Sequence, residues 1–423
     1  MHTRTASPVA PELAGELDRI VGHRAVRALF QPLIDLASGD VVAYEALARG
    51  PAGSPLESPA ALFEAAYGSG RVAELDWACR AAAFEAAAGA NLDPGLRLFV
   101  NCEPVSLGVA CPDDLWPVVD VAERRLRVVM EVTERAVARD PAGLLAAVAR
   151  ARAVGWGVAL DDVGAEPASL AVLPFVRPDV VKLDLRLIQG RTTAEVARIV
   201  NAVRAEAERT GARVLAEGIE TRRHAEVART MGATIGQGWL YGRPGPLPSG
   251  TRPPRAPLDL LREPAAVEDQ TPFEVVAAER VPERAPKDLL LPMSMHIEHK
   301  GLDAAEPGVL LACFQEARHF TPGTRVRFGR LSGRAALTGA LGAGMPPAPA
   351  PGVRGASLDP GDPLRGEWAV LLIGPHFAAA LVARDCGDDG PDADRRFDFV
   401  ITHDRDLVVR AAQPLLDRLV PAG

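Results

Sequence analysis

The sequence has little lysine, few cysteines and no long apolar segment. Only three of its 47 basic residues are lysines (Lys182, Lys287 and Lys300), so a lysine inside a motif indicates a task that the planar guanidinium of arginine cannot perform. The five cysteines are scattered without a CxxC pair, which argues against a zinc site and predicts reduced thiols rather than a disulfide framework. No apolar run reaches the roughly 18 residues of a spanning helix, and residues 1–12 lack the apolar core of a signal peptide. We therefore expect a cytoplasmic protein without a membrane span.

The charge balance is acidic, with a formal net charge of −8 and no run of lysine or arginine. This balance argues against binding to a nucleic-acid polymer. It does not exclude a small anionic ligand, because divalent cations held by carboxylates can reverse the local field. With 423 residues, of which 48% are hydrophobic, the chain is long enough for two or three folded domains.

Residues 26–243 alternate short apolar runs with longer Ala-, Arg- and Glu-rich stretches. The alternation predicts βαβ units and a parallel sheet. The strand candidates are Ala28–Ile34, Val41–Leu47, Leu96–Asn101, Arg127–Thr133, Val158–Asp162, Val180–Asp184, Val214–Ile219 and Thr234–Trp239. The first two are separated by the turn-forming segment Ala37–Asp40, so they predict an antiparallel hairpin. Eight such strands predict a TIM-like (β/α)8 barrel with an antiparallel first strand over residues 10–245.

Two further segments follow the predicted barrel. Residues 246–270 are rich in proline and lack periodicity, so they are interpreted as a linker. Residues 271–421 predict a smaller C-terminal α/β domain. Its predicted elements are the strands Trp368–Ile373, Ala378–Ala383 and Arg395–Thr402 and the closing helix Asp406–Leu419, and the stretches Ala335–Leu341 and Pro346–Pro351 precede the first two strands.

Polar side chains, most of them carboxylates, stand at the ends of almost all the predicted barrel strands, where TIM-type barrels carry their functional groups. They are Glu45, Asn101, Glu131, Glu134, Asp161, Asp162, Lys182, Asp184, Glu217, Glu220 and Gln237. Converging carboxylates repel one another and lose solvation, so such a cluster requires cations. Without histidine or cysteine, the set favours Mg²⁺ or Mn²⁺ over zinc. Two adjacent aspartates suit a pair of metal ions of the kind used in phosphodiester hydrolysis.

Each motif by itself has a simpler interpretation. Glu45-Ala46-Leu47 arises readily by chance on a helix surface, and Asp161-Asp162 can be a solvated turn or a helix cap. The stretch Gly339–Gly344 lacks the lysine and the preceding strand of a phosphate loop. His296, His299 and His319 are interpreted as surface or core histidines.

Taken together and in order, the motifs resemble those of the EAL-type cyclic-di-GMP phosphodiesterases over about residues 10–245. The matching segments are Phe30–Pro32, Tyr44–Arg49, Val100–Asn101, Glu131–Glu134, Leu160–Gly164, Val181–Asp184, Ala216–Glu220, Gly236–Trp239 and Gly242–Pro244. The resemblance implies hydrolysis of cyclic di-GMP to linear pGpG with two divalent ions, Mg²⁺ or Mn²⁺, and a homodimer formed through the barrel.

The resemblance also implies roles for single residues. The metal ligands would be Glu45, Asn101, Glu131, Asp161, Asp162 and Glu217. Among these, Glu45 and Glu217 would be catalytic together with Lys182, which would orient the attacking water and stabilise developing negative charge. The dinucleotide would contact Gln31, Arg49, Gln237 and Pro244, and Glu134 would anchor a neighbouring loop.

One segment departs from the pattern that the resemblance implies. After the two aspartates the family usually has Phe-Gly-x-Gly-aromatic-Ser-Ser, whereas this sequence has Val163 to Ser169 with Glu166 and Pro167 in the middle. Replacing glycine and adding proline restricts the backbone of this loop. The alternative function is therefore a cyclic-di-GMP receptor with weak catalysis that signals through its C-terminal domain.

The C-terminal segment resembles a DICT domain, a sensory module found beside diguanylate-cyclase and two-component modules. The matching stretches are Thr271–Val276, Gly366–Trp368, Gly374–Phe377 and Phe397–Asp404. His403-Asp404 is interpreted as a strand-to-helix cap. No pair of nucleophile and base stands out, so we expect this domain to regulate rather than to catalyse.

Overall fold

A computed structural model describes residues 11–133, 140–165, 170–171, 173–260, 270–303, 306–389 and 391–419. The chain divides into two compact units, which consist mainly of the residues before and after position 262. Within the described ranges, no helix combines the length and the apolar character that crossing a membrane requires.

The first unit contains a closed eight-stranded barrel in which strands β1 to β8 follow one another in chain order. The strands are β1 (Arg27–Asp35), β2 (Val41–Arg49), β3 (Arg97–Asn101), β4 (Val128–Thr133), β5 (Gly157–Val163), β6 (Val180–Leu183), β7 (Arg213–Ala216) and β8 (Ile235–Gly236). β1 is antiparallel to both β2 and β8, and the remaining neighbours are parallel. The predicted TIM-like barrel with a reversed first strand is confirmed.

Helices alternate with these strands. They are α1 (Pro11–Gly22), α2 (Pro59–Gly68), α3 (Val72–Gly89), α4 (Trp116–Arg125), α5 (Pro141–Ala153), α6 (Leu173–Val176), α7 (Leu185–Gln189), α8 (Ala194–Thr210) and α9 (Arg222–Thr230). Threonine, a residue type that favours helix N-caps, caps two of these helices. The hydroxyl of Thr193 accepts a hydrogen bond from the Val196 N–H at the start of α8. The Thr221 hydroxyl does the same for the His224 N–H at the start of α9.

The alternation of side chains along the strands places the polar residues. One buried apolar cluster contains Leu33, Ala43, Phe99, Val129, Ala159, Val180, Leu215 and Ile235. In β2 to β8, a polar residue follows each of these residues two positions later: Glu45, Asn101, Glu131, Asp161, Lys182, Glu217 and Gln237. Residues two apart on a strand point to the same face, and in the reversed β1 Gln31 precedes Leu33 instead. A polar layer therefore lies above an apolar layer at the carboxyl end of the barrel.

The Pro-rich segment after the barrel packs in part against it. Leu258 is buried in the apolar layer, and its carbonyl accepts a hydrogen bond of 3.0 Å from Arg97 Nε. The Thr251 hydroxyl accepts a 3.0 Å bond from the Asp93 N–H. The beginning of the segment interpreted as a linker, 246–270, therefore belongs to the packing of the barrel, whereas residues 261–269 lie outside the described ranges.

The second unit contains a seven-stranded sheet in the order β12-β11-β10-β13-β14-β15-β9. Its strands are β9 (Glu283–Pro286), β10 (Val309–Glu316), β11 (Leu337–Ala343), β12 (Arg354–Ser357), β13 (Glu367–Ile373), β14 (Ala378–Asp385) and β15 (Arg396–Thr402), and its helices are α10 (Pro272–Ala277), α11 (Lys287–Asp303), α12 (Pro322–Ser332) and α13 (Arg405–Leu416). The predicted smaller C-terminal α/β domain is confirmed.

Several elements of this unit were not predicted, and the reasons are clear for a long helix and an inner strand. The long helix α11 contains Pro292, which sequence rules treat as a helix breaker. The inner strand β10 is a short apolar run, which periodicity does not distinguish from a buried helix. The predicted strand-to-helix cap is confirmed, because the Asp404 carboxylate accepts a hydrogen bond from the Leu407 N–H at the start of α13.

Candidate active site

Lys182 lies in the middle of the polar layer and is completely buried. Its Nζ atom lies 2.7 Å from Glu131 Oε1 and 2.9 Å from Glu217 Oε1. The same atom lies 3.1 Å from Asp161 Oδ1 and 3.6 Å from Glu45 Oε1. One ammonium group therefore faces four carboxyl groups that come from four different strands or strand ends. If all four ionise, the site carries an excess of negative charge that further cations would neutralise.

Amide side chains orient Glu45 within this cluster. Gln237 Nε2 donates a hydrogen bond to Glu45 Oε2 at 2.5 Å and another to Gln31 Oε1 at 3.1 Å. Asn101 Nδ2 donates to Glu45 Oε1 at 3.2 Å. Gln31 in turn donates from Nε2 to the Gly242 carbonyl at 2.9 Å. Gln237 and Asn101 thus hold the Glu45 carboxylate in one orientation. Their side-chain oxygens are available as neutral ligands for a cation.

Burial and mutual repulsion set the protonation of the cluster. Burial raises the pKa of Glu131 well above its usual value, and the charge of Glu45 raises that pKa further. Burial raises the pKa of Glu217 to about 8 against the attraction of Lys182. Burial also opposes the ionisation of Glu45, but the attraction of Lys182 together with hydrogen bonds from Gln237, Glu131 and Asn101 outweighs it and lowers the pKa of Glu45. Burial would lower the pKa of Lys182, yet the surrounding carboxylates, Asp161 first, raise it well above normal. These shifts favour the charged forms of Lys182 and Glu45 and the protonated forms of Glu131 and Glu217.

The donor set fits hard divalent cations. Carboxylate oxygens of Asp161, Asp162 and Glu217 lie within 4.8 Å of one another. Glu131 is 1% exposed; its Oε1 atom contacts Lys182, and among the described residues its Oε2 atom has no hydrogen-bond partner. Oxygen ligands alone favour Mg²⁺ or Mn²⁺.

A backbone irregularity lets the two neighbouring aspartates reach one place. Successive residues of a regular strand point to opposite faces. The pairing of β5 with β6 shifts in register between Leu160 and Val163, and Asp162 has a left-handed φ of 56°. This conformation is uncommon for a residue with a side chain. The bulge accounts for the convergence of both carboxylates with Glu217.

The other predicted site residues lie in several places. Arg49 ends β2 and donates from NH1 to the Ala48 carbonyl at 2.8 Å, and burial together with the charge of Arg27 lowers the pKa of Arg49. Pro244 is half-buried beside Gly245, whose backbone pairs with that of Phe30 in β1.

Asp184, which the sequence placed at a strand end, does not join the cluster. The Asp184 carboxylate caps α7 by accepting a hydrogen bond from the Arg186 N–H at 2.8 Å. The predicted loop anchor Glu134 lies outside the described residues, and so do residues 166–169 of the divergent loop.

Sequence reasoning missed a cavity of about 280 Å³ beside Glu45. Glu45 and Asn101 line it together with Asp76 and Arg80 of α3. Arg80 NH2 lies 2.8 Å from Asp76 Oδ2, and both side chains are almost fully buried. The guanidinium lies 3.6 Å from the centre of the Trp77 ring. The available signal was an Asp and an Arg four residues apart on an otherwise alanine-rich helix, which is also the spacing of an ordinary surface ion pair.

Comparisons with known proteins agree with this architecture. The sequence model of the EAL domain matches residues 14–244. A model described as the sensory domain in diguanylate cyclases and two-component systems (DICT) matches residues 274–385.

Named relatives share the barrel segment. The probable cyclic di-GMP phosphodiesterase PdeB of Escherichia coli K12 is 30% identical over 232 residues, which are 54% of this chain and 44% of PdeB. The cyclic di-GMP phosphodiesterase NbdA of Pseudomonas aeruginosa is 30% identical over 245 residues, which are 56% of this chain and 31% of NbdA. The match thus spans less than half the length of either relative.

Solved structures are similar over the same part of the chain. Klebsiella pneumoniae BlrP1, in a complex with manganese and cyclic di-GMP, is 30% identical with a TM-score of 0.47, over 52% of this chain and 56% of BlrP1. The PaMucR phosphodiesterase in complex with cyclic di-GMP is 25% identical with a TM-score of 0.48, over 56% of this chain and 98% of that chain. Because the EAL model matches more than half of its length, the chain belongs to the EAL domain family.

Proposed function

We propose that the protein hydrolyses cyclic di-GMP to linear pGpG at the polar layer of its barrel. The observation that carries this proposal is the convergence of Glu45, Glu131, Asp161 and Glu217 on the buried ammonium of Lys182. Burying a cluster of carboxylates without cations costs free energy. This cost favours a site built for metal ions and an anionic substrate. The relatives named as cyclic di-GMP phosphodiesterases support the choice of substrate.

The metal ligands in this proposal are Glu45, Asn101, Glu131, Asp161, Asp162 and Glu217. Mg²⁺ or Mn²⁺ ions held there would polarise the phosphate and ease deprotonation of the attacking water. Gln237 and Asn101 keep the Glu45 carboxylate in place through hydrogen bonds of 2.5 Å and 3.2 Å. Glu131 and Glu217, whose protonated forms burial favours, would hold a cation in their deprotonated forms.

Lys182 supplies a permanent positive charge. Its carboxylate neighbours keep it protonated, and complete burial excludes water from its other side. In the reaction the ammonium donates a hydrogen bond to the attacking water and stabilises the negative charge that develops on the phosphate. A compact ammonium fits between several carboxylates, whereas a planar guanidinium does not.

The dinucleotide in this proposal contacts Gln31, Arg49, Gln237 and Pro244, and the Arg49 guanidinium acts as a phosphate partner. One planar base enters the cavity beside Glu45, whose lining includes the buried Arg80. The active form is a homodimer that associates through the barrel, and the DICT domain regulates it. Light scattering on the full-length protein, as it elutes from a size-exclusion column, measures its molar mass and shows whether it is a dimer.

The test is direct. Full-length protein is incubated with cyclic di-GMP and Mg²⁺ or Mn²⁺, and the nucleotides are separated by ion-exchange chromatography. We expect conversion to pGpG that stops when a chelator is added. Calorimetric binding of cyclic di-GMP without conversion would instead identify the receptor function, and absence of both binding and conversion would overturn the proposal.

A further inference from the structure

The second unit contains a cavity of about 360 Å³ that the proposed hydrolysis does not use. Its lining includes three aromatic side chains of one sheet, Phe314 of β10, Trp368 of β13 and Phe397 of β15. Phe314 and Trp368 are paired across β10 and β13. The Trp368 and Phe397 rings lie 5.8 Å apart at 75°. Such rings offer flat apolar surfaces against which a planar ring system packs.

Gln315 also lines this cavity, although it directly follows Phe314. Adjacent strand residues normally point to opposite faces. Here the pairing of β10 with β11 shifts in register between Cys313 and Glu316, and Gln315 has a left-handed φ of 62°. Its side chain is nearly buried. Among the described residues its amide donates one hydrogen bond to Asp385 and accepts one from Arg395, and both are long at 3.3 Å. A strained bulge that turns a weakly bonded amide into an aromatic cavity points to recognition of a ligand.

The charged lining of the cavity is basic overall. Lys287, Arg318 and Arg327 outnumber the carboxylates of Glu298 and Asp392. Arg327 is paired with the buried Glu298, and Lys287 Nζ lies 2.5 Å from Asp392 Oδ2. The Arg318 side chain is 70% exposed and forms an ion pair with the partly exposed Glu316 at 2.9 Å, so it can turn toward a ligand at little cost.

The start of helix α12 adds to this positive field. Thr321 and Thr324 line the cavity, and the Thr321 hydroxyl caps the helix by accepting a hydrogen bond from the Thr324 N–H. The first N–H groups of an 11-residue helix carry partial positive charge. Together with Arg318, these N–H groups favour the binding of an anionic group beside the aromatic rings of the cavity.

We propose that this cavity binds a small planar aromatic molecule that carries one anionic group, a carboxylate or a phosphate. The rings of Phe314, Trp368 and Phe397 pack against its ring system, Gln315 bonds to its polar edge, and Arg318 with the start of α12 holds the anion. This site is additional to the proposed hydrolysis. Binding is measured without metal and without cyclic di-GMP. A negative result would therefore overturn this proposal and leave the proposed hydrolysis untouched.

The probe is 8-anilinonaphthalene-1-sulfonate, an aromatic anion whose fluorescence rises in an apolar site. Trp368 is the only tryptophan after residue 262, and the other four lie at positions 77, 116, 156 and 239. We expect saturable binding of one probe per chain with energy transfer from tryptophan. Trp368→Phe keeps an aromatic ring, so it should retain binding and lose most of the transfer. Transfer that persists in this variant would place the probe elsewhere and overturn the proposal.

Two matched variants test the anion contact. Arg318→Glu should weaken probe binding by about 10-fold or more, because a charge-assisted contact is lost and a repulsive one is gained. Arg325→Glu makes the same charge change on an exposed arginine of α12 outside the lining and should leave binding unchanged. Equal effects of the two variants would overturn the proposal. Near-ultraviolet circular dichroism verifies that each variant keeps its tertiary packing.

A third variant and a displacement series test the polar edge and the ligand class. Gln315→Gly tolerates the left-handed backbone and removes only the amide, so it should weaken binding several-fold. Indole-3-carboxylate and guanosine 5′-phosphate are then used to displace the probe, which distinguishes a carboxylate ligand from a phosphate ligand. Displacement by neither compound, or unchanged binding in Gln315→Gly, would contradict the proposal.

Discussion

The barrel site and the C-terminal cavity are suited to anionic ligands in opposite ways. In the barrel, four carboxyl groups surround one lysine, so a phosphate enters only together with metal cations. In the C-terminal cavity, basic residues exceed acidic ones and lie beside aromatic rings, so an anion needs no metal. The comparison teaches that a net charge of −8 describes neither site, because ligands respond to local fields rather than to the total charge.

The two regions also differ in how their charges are balanced. In the C-terminal cavity most cations have a single carboxylate partner, such as Lys287 with Asp392 and Arg327 with Glu298. In the barrel the same ammonium contacts all four carboxyl groups, and burial raises the pKa of two of them, Glu131 and Glu217. Changing one charge in the barrel therefore alters its neighbours, whereas a change in the cavity stays local. The following predictions test this contrast.

The largest effect is expected for Glu45→Ala. The variant should abolish hydrolysis of cyclic di-GMP, because a buried site with few spare donors loses an anionic ligand. Folding should persist, since removal of one crowded carboxylate also relieves repulsion. Nucleotide chromatography measures the loss, and Glu226→Ala, which removes an exposed carboxylate on α9, is the control that should retain activity. Wild-type turnover in Glu45→Ala would refute the site.

Lys182→Arg should lose activity by about 100-fold or more, although the charge is kept. The lysine is completely buried among carboxylates, and the wider guanidinium cannot take its place beside the attacking water. Binding of cyclic di-GMP, measured by calorimetry, should fall much less than turnover. Lys300→Arg on α11 is the matched control and should behave as the wild type. Equal rates in Lys182→Arg and the wild type would show that only charge is needed there.

Metal affinity should rise with pH up to about 8. The pKa of Glu217 is about 8 in the folded protein against an ordinary value of 4.5, and a metal ion binds the deprotonated form. Below pH 8 we expect Mn²⁺ affinity to fall by about 10-fold per pH unit for one released proton.

The raised pKa of Glu217 also determines whether the stability of the fold rises or falls with pH. A raised pKa means that the proton on Glu217 stabilises the metal-free fold at low pH, and that this contribution is lost as the pH rises through about 8. Calorimetric titration with Mn²⁺ in buffers of different ionisation enthalpy measures the released protons. Glu220→Gln, a change to an exposed residue near the site, should keep the pH dependence. An affinity that stays flat between pH 6.5 and 8.5 would contradict this prediction.

The smallest effect is expected at the divergent loop. Installing the family-like sequence by Val163→Phe, Glu166→Gly, Pro167→Tyr and Ala168→Ser should raise turnover by a few-fold with little change in affinity, because glycine restores backbone freedom that Pro167 removes. Val163 is completely buried, so Val163→Phe alone serves as the control and should only destabilise the fold, by about 1–3 kcal/mol through overpacking. Unchanged turnover in the fourfold variant would show that the loop does not limit the rate.

Much of the barrel could be predicted from the sequence because strand alternation and strand ends are local properties. Glu45, Glu131 and Lys182 each follow an apolar residue by two positions, and this spacing alone aims them into the barrel. The roles of these residues remain predictions. Asp184 illustrates the limit of the same rule, since it lies one residue beyond β6 and caps a helix instead.

The remaining features depend on contacts between distant residues. The cavity beside Glu45 requires α3 to pack against β2 and β3, and no local pattern separates the Asp76–Arg80 pair from a surface ion pair. In the C-terminal unit, α11 forms despite Pro292 because its buried face packs on the sheet. The aromatic cavity exists only once β10, β13 and β15 have joined one sheet, in which β14 lies between β13 and β15.

The sequence by itself determined the order of the barrel strands, the reversed first hairpin and the set of carboxylates at the strand ends, because these follow from periodicity and turn chemistry along the chain. Only the tertiary structure decided that Asp161 and Asp162 converge and that Gln315 enters an aromatic cavity. Both depend on bulges with left-handed residues, at φ values of 56° for Asp162 and 62° for Gln315. A bulge is a mismatch between paired strands, so its physical cause lies in the pairing and not in either strand alone.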